Sequence, residues 1–137
     1  MQYKGKKWYI EIWSDERYID LWSSTHFLMG GVIAGISVLA SVNFWISVVI
    51  MFILLFLWEW YENFKKLHET INNKVLDIAL GLIGYALIYI VMNLEIFNNI
   101  ILFIVVAASF LILDIWGTIA YKMGSSDDFL KKFRSKK

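Results

Sequence analysis

One histidine and four carboxylates stand where an otherwise oily chain gives way to polar residues: His26, Glu59, Glu62, Asp77 and Asp114. An imidazole together with several carboxylates is a donor set for a hard or borderline divalent ion such as Mg, Mn or Zn, which activates water or grips a phosphate. These residues lie far apart in the chain. Whether they form one site therefore depends on the elements that carry them.

Those elements are membrane helices. The 137 residues are 59% hydrophobic and 18% aromatic, with no proline and no cysteine, a composition too apolar for an ordinary soluble domain. The missing cysteines exclude disulfides, iron–sulfur clusters and thiol nucleophiles. The first 26 residues mix Lys, Glu, Asp, Arg and Trp, unlike the compact apolar region of a cleavable signal peptide. An uncharged run covers residues 27–57, and two more cover 78–94 and 96–113. As one helix, the first run would be about 46 Å long, against a hydrocarbon core of roughly 30 Å. Two shorter helices with Ser41, Val42 and Asn43 as a turn fit better, since Ser and Asn side chains bond nearby backbone.

Charge supports that division. With four spans, all thirteen Lys and Arg fall on one side of the membrane: Lys4, Lys6, Lys7 and Arg17 before the first span, Lys65, Lys66 and Lys74 between the second and third, and six more from Lys122 to the end. The opposite turns, 41–43 and 93–99, carry none. By the positive-inside rule the basic side is cytoplasmic. The expected fold is an all-α integral membrane bundle of four transmembrane helices in two hairpins, N- and C-termini cytoplasmic. Its spans are about 25–41, 44–61, 75–93 and 99–121. Residues 1–24 form an interfacial segment before a turn at Ser23, Ser24 and Thr25. Residues 122–137 form a basic tail with a helix cap at Ser126 or Asp127, a topology determinant touching anionic lipid rather than nucleic acid. Trp22, Trp58, Trp60, Tyr61 and Tyr121 mark the cytoplasmic ends, and Phe44, Trp45 and Phe97 the outer side, as amphipathic rings prefer the headgroup region.

In this topology all four helices deliver a titratable residue toward one end of the bundle. His26 opens the first span, Glu59 and Glu62 close the second on a shared face, Asp77 opens the third, and Asp114 lies in the last turns of the fourth. His26, Gly30, Ile33, Ser37 and Ser41 form one small or polar stripe, with Gly31-x-x-x-Gly35 beside it, and Asp77, Gly81, Gly84 and Tyr85 form another. Small residues let helices approach, so these stripes face the interior. Asn73 joins Asp77 if the third helix starts early. Seven residues separate Asp114 from Lys122, placing this acid roughly 10 Å inside the interface. A carboxylate there costs about 2.5 to 3.5 kcal/mol and calls for a partner or a watered cavity.

The order D-x5-H-F-x2-G from Asp20 to Gly30, then WEWYE, then ETINNKVLDIALGLIGY, resembles VanZ-like and related small bacterial membrane proteins over residues 18–92. It departs from that pattern at Leu80, where Asn is common, and lacks a clear match to the basic residue before the third helix. The resemblance implies four or five spans, a role in the cell envelope such as glycopeptide resistance, and a shared polar site of Asp20, His26, Glu59, Glu62, Asn73 and Asp77, with Gly81 and Gly84 as packing residues.

Three uses of the cluster compete. In the first, Glu59, Glu62 and Asp77 ligate a divalent metal (Mg, Mn or Zn), and His26 is a further ligand or the acid/base. Asp20 orients His26, and Lys65, Lys66 and Lys74 attract a lipid headgroup. In the second, the polar residues only tie together a scaffold or accessory subunit. In the third, Asp114 serves an ion or proton path in a homo-oligomer built through the glycine faces, or with a membrane protein partner. The chain carries no P-loop, dinucleotide fingerprint or nucleophile elbow.

Overall fold

The computed structural model describes residues 21–64 and 71–134; for 62–64, 121 and 123–134 it describes the backbone alone. The described chain is all-helical: α1 (Leu21–Leu39), α2 (Phe44–Phe64), α3 (Ile71–Asn93) and α4 (Asn99–Arg134). Each helix is long and apolar enough to cross a membrane, the 19 residues of α1 rising about 28 Å. The four helices suggest a multi-pass membrane protein.

Local chemistry sets the breaks. Ser41 takes a left-handed φ of 52°, while the Val42 amide donates to the Ser37 carbonyl at 2.8 Å and the Ser41 amide to that of Val38 at 3.1 Å. This is the paired closure of a Schellman motif, with serine where glycine is usual. Asn43 then opens α2, its Oδ1 accepting from the Trp45 amide at 3.0 Å. The second turn repeats the scheme: Glu95 has φ 53°, and Asn98 Oδ1 accepts from the amides of Ile100 and Ile101, capping α4.

Both α1 and α3 begin about one turn earlier than sequence reasoning places the spans. Residues 21–24, assigned to the interfacial segment, are the first turn of α1, because a Ser-Ser-Thr run is tolerated in a helix whose hydroxyls find partners; Thr25 Oγ1 donates to the Trp22 carbonyl at 2.7 Å. The rest of that segment, including Asp20, lies outside the described residues, as do Lys65 and Lys66. At the other end, α4 continues unbroken through the expected cap at Ser126 and Asp127 to Arg134.

The glycine stripes organise the packing. The most extensive interface joins α1 to α3, followed by α1 with α4, while α2 touches α1 and α3 more sparingly. α1 and α3 lie side by side in the same direction. Their backbones are so close that a methyl at Gly30 would overlap the Gly81 carbonyl, and one at Gly84 would overlap that of Phe27. On another face of α1, Gly31 meets Ile88 and Val106, and Gly35 meets the Phe103 ring of α4. Met51 and Leu55 of α2 reach over Gly81 and complete a core with Ile33, Ala34 and Tyr85. The Ser47 and Tyr85 hydroxyls share a buried hydrogen bond. His26, Gly30, Ile33 and Ser37 are buried, as are Asp77, Gly81, Gly84 and Tyr85; Ser41 is exposed in its turn. The outward sides of α2 and α4 present residues such as Trp45, Phe56, Ile104 and Ile112, the surface that a bilayer would solvate.

Candidate metal centre

Parallel packing of α1 and α3 sets their N-terminal turns at one level, and α2 brings its C-terminal turns there. Three ionisable side chains meet: His26 (3% exposed), Glu59 (6%) and Asp77 (1%). Each offers a donor atom, and these atoms all lie within 4.8 Å of one another.

Asp77 is the best anchored of the three. Ser23 Oγ donates to its Oδ1 at 2.6 Å, and Asn73 Nδ2, one turn before it on α3, donates to Oδ2 at 3.1 Å. His26 Nε2 lies 3.9 Å from the same Oδ2, too far for a hydrogen bond. The Trp58 ring stands edge-on to the imidazole, centroids 6.2 Å apart, and closes the site from the α2 side. Lys74 Nζ approaches Glu59 Oε2 at 3.9 Å.

Several donor atoms are left over. Among the described residues His26 Nδ1 and both carboxylate oxygens of Glu59 are buried without a hydrogen-bond partner. Buried polar atoms are nearly always satisfied, and leaving one unsatisfied costs about 1 to 3 kcal/mol, more when it is charged. Two buried carboxylates beside one lysine also leave local negative charge, which a cation would neutralise. One nitrogen and two carboxylate donors suit Zn or Mn, and Mg through the carboxylates.

The sequence-derived residues thus separate. His26, Glu59 and Asp77 come together, with Asn73 beside them because α3 starts early. Lys74 lies at the cluster itself rather than only in a headgroup layer. Asp20, Lys65, Lys66 and the side chain of Glu62 lie outside the described residues. Asp114 does not join: it is half-buried on α4, with no hydrogen bond or ion pair among the described residues. The reason is rotational. α4 meets α1 at Gly31 and Gly35, and at 100° per residue these lie about 140° and 180° around the helix from His26. Among the described residues the group therefore draws on three of the four helices.

Ser23 is not among the site residues the sequence points to, because the Ser-Ser-Thr run reads as a turn; with α1 starting at Leu21 it stands three residues before His26 and so on the same helix face. No family model, curated protein or solved structure matches the chain.

Proposed function

We propose that the chain is a multi-pass protein of the cell membrane, two helical hairpins with both termini cytoplasmic. In it, His26, Glu59 and Asp77 hold one divalent cation (Mg, Mn or Zn) at the cytoplasmic interface, for binding of, or metal-assisted chemistry on, a lipid or lipid-linked phosphate. The observation that carries this reading is the Glu59 carboxylate, buried beside His26 and Asp77 with neither oxygen hydrogen-bonded among the described residues. A bound cation supplies what the buried oxygens lack. Glu62 at the end of α2 is a further ligand, Asp20 orients His26, and Lys65, Lys66 and Lys74 draw an anionic headgroup to the basic side. The one-sided distribution of Lys and Arg supports the orientation, and the VanZ-like sequence pattern supports a place in the cell envelope.

The test is metal content and thermal stability of the detergent-purified protein, with His26→Ala, Glu59→Gln and Asp77→Asn. The parent retains stoichiometric metal, and added cation at a hundred times its dissociation constant stabilises the fold by about 2.7 kcal/mol; each variant loses most of both. A parent that takes up none of the three ions sinks the reading.

A second reading has its own observation. Asp77 accepts from Ser23 and Asn73 and so ties α1 to α3, as a scaffold without chemistry would need. Glu59→Gln separates the two. Among the described residues Glu59 makes no hydrogen bond and only the 3.9 Å approach to Lys74, so for a scaffold the amide trades a loose ion pair for relief of buried charge and changes stability little, whether or not metal is added. For a cation site, it abolishes the gain from metal.

A further inference from the structure

A groove of about 410 Å³ runs along the seam of α1 and α3, lined by Ser23, Ser24, Phe27, Leu28, Leu76 and Leu80. Its lining is ordered by depth. Ser23, Ser24 and Leu76 stand at the level of Asp77, whereas Phe27, Leu28 and Leu80 lie about one helical turn further into the apolar spans. Ser23 is shared with the cluster: it forms part of the groove wall while its hydroxyl is held by Asp77 at 2.6 Å. On α1, Ser24 and Leu28 lie about 160° and 200° around from His26, so the groove opens on the side away from Trp58, which covers the imidazole.

We propose that this groove binds one hydrocarbon chain of a bilayer phospholipid, with the headgroup at the Ser23 and Ser24 end beside the cluster. Ser24 at the end of the bundle, with Phe27, Leu28 and Leu80 one turn deeper, matches the head-to-tail order of a lipid. Helices of membrane-crossing length and apolarity set the mouth of the groove toward acyl chains rather than water. The proposal rests on the cation reading for the chemistry of the headgroup; occupation of the groove does not require the ion.

The full chain is reconstituted in vesicles of phosphatidylethanolamine and phosphatidylglycerol. These contain a trace of phosphatidylglycerol bearing a diazirine midway along one acyl chain. After illumination, adducts are mapped by mass spectrometry. Adducts enriched several-fold on the groove residues over the outward α4 residues Ile104 and Ile112, and lost in Leu28→Trp or Leu80→Trp, support the proposal. An even spread over outward residues, or undiminished adducts in a folded tryptophan variant, overturns it. If neither variant folds, the parent map decides. Metal content of the same samples separates the two readings: bound cation with evenly spread adducts removes the groove alone, and enriched adducts without cation remove the cation site alone.

Discussion

Ser23 on α1 donates a 2.6 Å hydrogen bond to Asp77 on α3, between two side chains that are each 1% exposed and 54 residues apart in the chain. Interhelical hydrogen bonds in membranes average about 0.6 kcal/mol and reach about 1.7. A double-mutant cycle of Ser23→Ala and Asp77→Ala, read by unfolding in mixed detergent, is expected to give a coupling in that range. Asp77→Ala should cost more, because the Ser23 hydroxyl and the Asn73 amide both lose this acceptor. Zero coupling in the cycle would remove the tie.

The glycines of α1 and α3 divide by what they meet. Gly30→Ala and Gly84→Ala each drive a methyl into a backbone carbonyl that cannot rotate aside, so the helices must separate, at an expected cost of about 1 to 3 kcal/mol. Gly31→Ala meets only side-chain carbons of Ile88 and Val106 at 3.0 Å. There the helix preference of alanine, about 1 kcal/mol, offsets most of the crowding. Thermal unfolding and monodisperse yield in detergent rank the three; a Gly84→Ala protein as stable as the parent would rule out the close approach.

The two left-handed turn residues predict gains. Ser41 and Glu95, with φ of 52° and 53°, sit where a side chain costs about 1 to 2 kcal/mol. Ser41→Gly and Glu95→Gly should each raise stability by up to about 1 kcal/mol, reduced by the greater freedom of glycine in the unfolded chain. A lower melting temperature in both would contradict the turn geometry.

Topology is open to labelling. A cysteine at Asn43 in this cysteine-free chain is expected to react with an impermeant maleimide from outside intact cells, while one placed among residues 65–70 reacts only after lysis. The reverse pattern would invert the orientation, and with it the side from which the site is served.

Much of the fold follows from local physics. Residues 41–43 break a long apolar run because Ser41 takes a left-handed φ and the Asn43 side chain accepts from the Trp45 amide, and the Asp77, Gly81, Gly84 and Tyr85 stripe is buried because a 3.6-residue period gathers it on one face. The meeting of His26, Glu59 and Asp77 was likewise legible, since alternating spans bring those helix ends to one side.

Helix rotation was not legible. α1 carries two small-residue faces, one through Gly30 and one through Gly31 and Gly35, and either could have received α3. Backbone approach at Gly30, Gly81 and Gly84, and packing of Val106 and Phe103 on Gly31 and Gly35, assigned them, which set α4 on the side of α1 opposite His26 and brought Ser23 onto Asp77. Where the apolar helices lie, where they turn and which of their faces are small or polar can be read along the chain, because those properties depend on neighbours within a few residues. Which faces meet emerges only on folding, because that choice rests on the fit between segments dozens of residues apart.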